Sequence, residues 1–424
     1  MHAASSLLGR AQALLLYPSV LAEDAGQALL ALLQAWHAGS DAAACWQAYG
    51  RWFRALAARN QSWQDYLIER ILQDDNPFSR QAQQHRWAEL PEALVAAARQ
   101  DLGTLQALYD CSPQQIGRWV CQADPPVAWT VANRQASFLQ QRVDWAAAIE
   151  ELAHYYRCNG TGLPAQYRAL RWQRGQLLGI AHPDPVSLDD IVGYERQKAA
   201  LVQNTRALLA GQPALNVLLY GSRGSGKSSL VKGLLSAYGA QGLRLVELSK
   251  AELPALPQAL EQLRGEPQTF IIFVDDLSFE ADDEAFKALK AVLEGNVTAP
   301  ARNVAIYATS NRRHLVREFF DERPQPRNRE EVHAWDTLQE KLSFGDRFGL
   351  TLTFEPADRQ TYLQIVHHLA AQAGIALERE ALEARAQQWA QQHHGRSGRS
   401  ARQFIDYLQA ELALSGSATD PELA

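Results

Sequence analysis

The spacing of hydrophobic positions divides the chain into two parts. Up to about residue 180, apolar side chains recur at helical spacing, in Ala-, Leu- and Gln-rich segments such as residues 25–37 and 90–102. Pro18, Pro77 and Pro164 interrupt this pattern. No stretch alternates with a period of two over enough residues to indicate a sheet. The pattern therefore predicts an all-helical N-terminal domain over residues 1–181.

A different pattern begins after residues 182–187, which read His-Pro-Asp-Pro-Val-Ser and are expected to form a linker. Short apolar or β-branched runs then alternate with helical patterns, which is typical of a parallel sheet covered by helices on both faces. The strand candidates are residues 216–220, 244–248, 270–274, 303–308 and 350–354. We therefore expect an α/β core with a five-stranded parallel sheet over residues 188–356, followed by a helical block over residues 357–424.

Composition separates the same two parts. Nine of the 11 Trp lie in residues 1–172, whereas all seven Lys lie at or after Lys198. Trp at helical spacing more often fills a core than binds a partner. The formal charge is 41 minus 47, or −6, and residues 1–185 contribute −1 of it, from 15 Arg and 16 Asp plus Glu. Neither part has the basic excess of a protein held on nucleic acid by many phosphate contacts, so nucleic acid is not favoured as a partner.

The cysteines and the N-terminal sequence favour a reduced, cytoplasmic setting. The four Cys form no CxxC pair, and no His lies at zinc-finger spacing from them, so buried free thiols are expected. Residues 7–21 are the most apolar N-terminal stretch, but they contain Arg10 and Pro18 and are too short to cross a bilayer. The His pairs at 367–368 and 393–394 have no Cys or Asp at ligand spacing, so no metal is expected there.

A phosphate-binding motif follows the first strand candidate of the second part. Residues 221–228, here called the phosphate loop, read Gly-Ser-Arg-Gly-Ser-Gly-Lys-Ser and precede a helical run. This is GxxxxGK[ST] in its strand, loop, helix context. Its glycines let backbone N–H groups point at phosphate oxygens, and the helix presents its positive end to the same charge. We expect Lys227 to contact the β- and γ-phosphates and Ser228 to bind Mg²⁺.

Two later strands supply the remaining groups that a triphosphate site needs. The apolar run 270–274 ends in Asp275 and Asp276, at the carboxyl end of a parallel strand, where ligands bind. Asp275 is the candidate magnesium ligand, and either Asp276 or Glu280 is the candidate base for the attacking water. Asn311 follows the next strand and can orient that water without adding negative charge.

Taken in order, these motifs resemble the AAA+ ATPases over about residues 186–412. Gly226-Lys227-Ser228 resembles the Walker A motif, Asp275-Asp276 resembles Walker B, and Asn311 resembles sensor 1. The segments DDLSFE and EKLSFGDRFG further resemble a family of bacterial AAA+ ATPases of uncharacterised function with a helical N-terminal region. The resemblance implies a P-loop NTPase core with a C-terminal helical lid, ATP and Mg²⁺ as cofactors, and ATP hydrolysis.

The resemblance also implies roles for residues outside the phosphate loop. The segment around Gly193 resembles the loop that cups adenine, and Arg347 in Asp-Arg-Phe-Gly resembles the arginine finger that enters a neighbouring subunit's site. Arg402, with Arg399 as the alternative, resembles the sensor 2 arginine of the lid. The implied nucleotide-binding set comprises Val192, Gly193, Tyr194, Gly221, Ser222, Arg223, Gly224, Ser225, Gly226, Lys227, Ser228, Ser229 and Arg399.

Two departures from the family pattern bear on activity. Many members have Glu where this chain has Asp276, so slow turnover is expected in the isolated protein. Peptide-threading members carry an aromatic residue in a loop after the second strand, but residues 249–265 contain none, which disfavours threading. Residues 312–345 form a long charged excursion, interpreted either as a subunit or partner contact or as a solvated loop.

The leading hypothesis is an ATP-hydrolysing homo-oligomer, ring-like, in which nucleotide state moves the lid and the N-terminal domain. Residues 1–181 are expected to bind an unknown protein partner, and no membrane contact is expected. The alternative is a nucleotide-gated scaffold or adaptor with incidental hydrolysis, because Trp is also enriched at interaction hot spots. A nucleic-acid remodeller is disfavoured by the charge, and a P-loop kinase by the lid and the finger motif.

Overall fold

The computed structural model describes residues 2–121, 123–131, 137–279, 284–294, 301–311, 344–393 and 395–417. These form two compact units, Met1–Gln166 and Tyr167–Ala424, which are taken in turn. Among the described residues, no helix is both long enough and apolar enough to cross a bilayer.

The described part of the first unit is helical. Several helices begin where the sequence offers an N-cap: the Asp41 carboxylate accepts the Ala44 N–H (2.8 Å) and the Ser62 hydroxyl accepts the Asp65 N–H (3.0 Å). Its helices are α1 (His2–Gln12), α2 (Asp24–His37), α3 (Ala42–Arg59), α4 (Trp63–Leu72), α5 (Pro77–Gln84), α6 (Glu92–Tyr109), α7 (Pro113–Val120), α8 (Ile149–Asn159) and α9 (Gly162–Gln166).

Aromatic side chains fill the core of this unit. Trp52, Trp63 and Trp145 are at most 1% exposed, and the Trp52 and Trp63 rings meet edge to face with centroids 5.9 Å apart. The Trp63 indole N–H donates to the Leu108 carbonyl (2.9 Å), so its polar atom is satisfied inside the core. Core packing therefore accounts for these three Trp, whereas Trp46 is 41% exposed.

The second unit is built on a sheet of seven strands with the order β2-β1-β4-β5-β6-β3-β7, parallel except for the β1–β2 hairpin. The strands are β1 (Ala169–Gln173), β2 (Gln176–Ile180), β3 (Val217–Gly221), β4 (Leu243–Leu248), β5 (Thr269–Val274), β6 (Val304–Ser310) and β7 (Leu350–Phe354). The five predicted strands are confirmed within about one or two residues at each end. Because β6 lies between β3 and β5, the three strand ends that carry the motifs are neighbours.

The hairpin β1–β2 corrects the sequence expectation of five strands. It lies at residues 169–180, inside the range expected to be all-helical, and it joins the second unit because β1 pairs with β4, the outermost of the five predicted strands. Arg174 (φ 50°) and Gly175 (φ 77°) form its tight turn, and both residues have the positive φ of a type I′ turn. The polar residues Arg171, Gln173 and Gln176 occupy exposed positions on these short strands. A local reading missed the hairpin because β1 also pairs with β4, which lies more than 70 residues later, as in the pair Ala169 and Leu245.

Helices cover the sheet and form the lid. The core helices are α10 (Glu195–Leu209), α11 (Lys227–Tyr238), α12 (Leu256–Arg264) and α13 (Glu284–Glu294), and the lid helices are α14 (Arg359–Gln372), α15 (Arg379–Gln392) and α16 (Gly398–Ser417). The lid has its own apolar core, in which Tyr362, Phe404 and Leu408 are at most 2% exposed. The break expected near residues 394–398 separates α15 from α16.

Candidate functional site

A cavity of about 940 Å³ lies at the carboxyl ends of β3, β5 and β6, with the lid on one side. The structure brings to it most of the predicted site: Val192, Tyr194, Arg223, Gly224, Ser225, Gly226, Lys227, Ser228, Ser229, Asp275, Asp276, Asn311, Arg399 and Arg402. Gly193, Gly221, Ser222 and Arg347 are not among the residues described as lining it. Glu280 lies outside the described residues, and so does the excursion 312–345 apart from its last two residues.

All three glycines of the phosphate loop have the positive φ that favours glycine, and at Gly221 and Gly224 the surroundings also leave little room for a Cβ. Gly221 has φ 139°, and a Cβ there would lie 1.9 Å from the Phe354 carbonyl oxygen of β7. Gly224 has φ 74°, and a Cβ there would lie 3.0–3.2 Å from Ser397 and Arg399 of the lid region. The chain then enters α11 at Lys227, so the N-terminus of α11 faces the cavity. This is the geometry that binds a phosphate anion.

Lys227 lies at the centre of the loop and is only 6% exposed. Its ammonium group donates to the carbonyls of Gly221 (3.0 Å) and Ser222 (2.7 Å) and to Asn311 Oδ1 (3.2 Å). Burial lowers the pKa of Lys227 below its usual value, and the charges of Asp275 and Asp276 act in the opposite direction. An anion in the cavity would favour the protonated lysine further.

Oxygen donors of the kind that Mg²⁺ prefers meet at the end of β5. Asp275 Oδ1 accepts hydrogen bonds from the hydroxyls of Ser228 (2.6 Å) and Thr309 (2.5 Å). A carboxylate and a hydroxyl beside a phosphate-binding loop are oxygen donors that would suit a magnesium ion. The donor set therefore fits Mg²⁺ bound together with a nucleoside triphosphate.

Asp276 adopts a left-handed backbone conformation, with φ 52°. Such a conformation is uncommon outside glycine, although Asp and Asn adopt it more readily than other residues. The amide of Asn311 donates to Asp276 Oδ1 (2.6 Å), and the Asp276 N–H donates to Thr309 Oγ1 (2.9 Å). Asn311 thus contacts both Lys227 and Asp276, as expected for a side chain between the first and third predicted strands.

The segment before α10 forms the apolar end of the cavity. Ile191 and Tyr194 are each 8% exposed, and Ile365 and Leu369 of α14 complete the lining on the lid side. The Tyr194 hydroxyl donates to the Glu355 carbonyl (2.8 Å), and burial raises the pKa of Tyr194. An apolar slot next to a phosphate-binding loop fits a nucleobase.

Gly193 joins this segment to the lid, and replacing it provides a test. A Cβ at Gly193 (φ 88°) would lie 2.5 Å from Thr361 Cγ2 of α14, whereas Gly211 (φ 68°) has nothing within 4 Å of its added Cβ. Both Gly→Ala variants incur about 1–2 kcal/mol of backbone strain. Gly193→Ala should lose about 1–3 kcal/mol more, because a methyl group is forced into a filled space. Thermal unfolding should therefore show a lower Tm for Gly193→Ala than for Gly211→Ala, and equal values would contradict this assignment.

Both candidate sensor 2 arginines lie at the cavity. Arg399 and Arg402 occupy the first turns of α16, and the Arg399 N–H donates to the Gly224 carbonyl (3.2 Å). Gly398 lies so close to the phosphate loop that an added Cβ would be 3.0 Å from the Gly224 oxygen. The lid helix therefore contacts the phosphate loop directly, and the choice between the two arginines stays open.

Arg347 lies in the 3-10 turn Phe344–Arg347, just before β7. Its guanidinium pairs with Glu294 at the end of α13 (2.8 Å), and the two side chains are 22% and 42% exposed. Arg347 is not among the described residues that line the cavity, and its role in a neighbouring site stays a prediction.

Several residues of the cavity were not predicted, and Thr309 and Asp184 are two of them. Thr309 contacts both acids. Its position two residues before Asn311, at the end of a strand next to β5, could have indicated this contact. Asp184 of the expected linker also lines the cavity and pairs with Lys232 of α11 (3.2 Å). No sequence spacing indicated that contact, because the linker has no regular structure.

Comparison with known proteins places the chain in a family. The family model described as "Protein of unknown function (DUF815)" matches residues 165–412. Curated proteins give no match. Among solved structures, the chain is similar to the Holliday junction branch migration motor RuvB of Thermotoga maritima, at 18% identity and TM-score 0.38, over 55% of this chain and 67% of that one. A variant of the same motor gives 17% identity with the same TM-score and coverage.

The sheet and the motifs agree with the AAA+ fold that the sequence predicts. The parallel strands run in the order β4-β5-β6-β3-β7, with the phosphate loop after the central β3 and a helical lid after β7, which is the arrangement of the AAA+ fold. The chain is a member of the DUF815 family, and its strand order, phosphate loop and helical lid give it the AAA+ fold that the motifs predict.

Proposed function

We propose that this chain binds ATP with Mg²⁺ and hydrolyses the terminal phosphate. The observation that supports this most strongly is one hydrogen-bonded network at three neighbouring strand ends. Lys227 contacts Asn311, Asn311 contacts Asp276, and Thr309 links Asp276 to the carboxylate that also contacts Ser228. The side chains proposed to bind phosphate, to bind the metal and to activate water thus belong to one hydrogen-bonded network.

The phosphates would lie in the phosphate loop, at the N-terminus of α11, and the base in the slot formed by Ile191, Val192 and Tyr194. Ser228 and Asp275 would hold Mg²⁺, whose charge stabilises the negative charge that develops on the phosphate oxygens. The Lys227 ammonium group would then donate to phosphate oxygens instead of to the carbonyls of its own loop. The lowered pKa of the buried Lys227 agrees with a group whose anionic partner is supplied by the ligand.

Asp276 would take the proton of the attacking water, and Asn311 would orient both the acid and the water. The Asn311 amide fixes one carboxylate oxygen of Asp276 (2.6 Å), which limits rotation of a short side chain. Asp is one methylene shorter than Glu, so its reach to the water depends on the left-handed backbone at this position. Glu280 is the alternative base.

Arg347 would act in trans, in the ATP site of a neighbouring copy within a ring-like oligomer. To do so it must leave Glu294, and a partly exposed ion pair of this kind contributes only about 0–1 kcal/mol. An arginine finger contributes about 10³–10⁵ in rate, or about 4–7 kcal/mol of transition-state stabilisation. The cost of leaving Glu294 is therefore small compared with the gain in the transition state.

The lid would couple nucleotide state to the N-terminal domain. Arg399 and Arg402 lie at the cavity on α16, and Gly193 contacts α14, so movement of the lid alters both ends of the nucleotide site. The first unit, Met1–Gln166, would bind a protein partner, with Trp46 as an exposed aromatic side chain available for contact.

A binding experiment on the full chain tests the proposal. Lys227→Ala should weaken ATP binding about 10- to 100-fold, because it removes charge-assisted hydrogen bonds to phosphate. Lys287→Ala, which changes an exposed lysine on α13, is the matched control and should bind ATP as the wild type does. Isothermal titration with ATP and Mg²⁺ gives the affinities. Equal affinities for Lys227→Ala and the wild type would overturn the proposed phosphate site.

A further inference from the structure

The hydroxyl of Thr309 contacts both acids of the site at once. Thr309 is 2% exposed and lies near the end of β6, one residue beyond the pair that joins Ala308 to Val274 of β5. Its Oγ1 donates to Asp275 Oδ1 (2.5 Å) and accepts the N–H of Asp276 (2.9 Å). A hydroxyl has a single proton, so these two contacts together fix its direction.

We propose that Thr309 is a positioning residue for hydrolysis, whose one hydroxyl aligns the metal-binding Asp275 with the base Asp276. The proposal rests on the proposed function. Both acids belong to the same short segment after β5. Their contacts with Thr309 join atoms of the protein itself, so neither contact requires a ligand. Thr309 thus prepares the metal ligand and the base before nucleotide binds.

The backbone after β5 depends on the same strand for its conformation. The Leu277 N–H donates to the Thr309 carbonyl (2.7 Å), and the Ser310 hydroxyl donates to the Leu277 carbonyl (2.8 Å). Between these anchors, Asp276 turns through a left-handed conformation, and its N–H is directed to the Thr309 side chain. Without the hydroxyl, that N–H loses its acceptor and Asp275 loses one of its two hydroxyl donors.

The consequence concerns metal binding as well as rate. Ser228 and Thr309 both donate to Asp275 Oδ1, and Ser228 is itself a proposed ligand of Mg²⁺. When Ser228 contacts the metal, Thr309 remains the side chain that orients the carboxylate. Loss of a group that orients a metal ligand typically lowers metal affinity or activity about 10- to 100-fold.

Thr309→Val tests this inference, because Val keeps the branched shape but lacks the hydroxyl. We expect kcat for ATP to fall about 10- to 100-fold. The Mg²⁺ concentration at which the metal's effect on ATP affinity is half-maximal should rise by a similar factor. ATP binding in the presence of EDTA should match the wild type. Thr309→Ser, which keeps the hydroxyl, should lie within about threefold of the wild type in all three measurements.

A matched control separates positioning from folding. Thr205 is another fully buried Thr of the same unit, and its hydroxyl contacts the Leu201 carbonyl and Tyr307 (2.9 Å each), away from the acids. Thr205→Val should lower Tm without changing the Mg²⁺ dependence. If Thr309→Val fails to fold, Thr309→Ala takes its place against Thr309→Ser.

Two results would overturn the inference: wild-type Mg²⁺ dependence and kcat in Thr309→Val, or a loss in Thr309→Ser as large as in Thr309→Val. Both are distinct from failure of the proposed function, which would appear as absence of ATP binding and turnover in the wild type itself.

Discussion

Arg347→Ala is expected to lower kcat for ATP by about 10³–10⁵ while leaving the ATP affinity unchanged. The guanidinium carries a permanent charge, and its proposed partner is the charge that develops on the transferring phosphate, so its loss affects the transition state rather than the ground state. Arg347 lies outside the residues that line the cavity and pairs with Glu294. Arg264→Ala, which changes another partly exposed, carboxylate-paired arginine, is the control and should retain turnover.

Mixing two inactive variants tests whether the finger acts between subunits. Arg347→Ala keeps a complete phosphate loop, and Lys227→Ala keeps a complete finger. In a random equimolar oligomer, on the order of one quarter of the head-to-tail interfaces would combine an intact loop with an intact finger. Phosphate release should therefore recover on mixing. Absence of recovery in a mixture that native mass spectrometry shows to be co-assembled would contradict the role in trans.

Asp276→Asn is expected to lower kcat about 10²–10⁴-fold, the usual contribution of a general base, with ATP binding retained. Asn is the matched replacement because it also tolerates the left-handed backbone and can still accept the hydrogen bond of Asn311. Single-turnover hydrolysis measures the effect, with Glu280→Gln made in parallel. Full activity of Asp276→Asn together with a large loss in Glu280→Gln would transfer the role of base to Glu280.

The same variant separates the two functional hypotheses. If hydrolysis drives the biological cycle, Asp276→Asn should remain trapped in the ATP-bound assembly and should not release a partner bound through the first unit. If the protein is a nucleotide-gated scaffold, the hydrolysis-deficient chain should assemble and exchange its partner as the wild type does. Comparing partner release in ATP and ADP for both proteins distinguishes them.

The sequence predicted those features whose signals are local. The five parallel strands were visible as short apolar runs, and the phosphate loop as spaced glycines before a helix, because a buried strand and a tight loop each impose their own residue types. Asp275, Asp276 and Asn311 followed from the rule that side chains at the carboxyl ends of neighbouring strands lie together. The structure brings these three side chains into one network.

Features that depend on distant partners escaped prediction. The hairpin at residues 169–180 gains its place only by pairing with β4, and its Arg-Gly turn lacks the Asn-Gly or Asp-Gly signal of most tight hairpins. The role of Thr309 depends on the register between β5 and β6. The Arg347–Glu294 pair joins positions more than 50 residues apart, and no periodicity connects them.

The most direct test of the account is phosphate release from ATP by the full chain, measured with Mg²⁺ over a range of protein concentrations, for the wild type and Lys227→Ala. The account predicts slow release whose rate per subunit rises with concentration, because the finger comes from a neighbour, and which EDTA abolishes. Lys227→Ala should show no release at ATP concentrations that saturate the wild type. Wild-type release no greater than that of Lys227→Ala at every concentration would contradict the account.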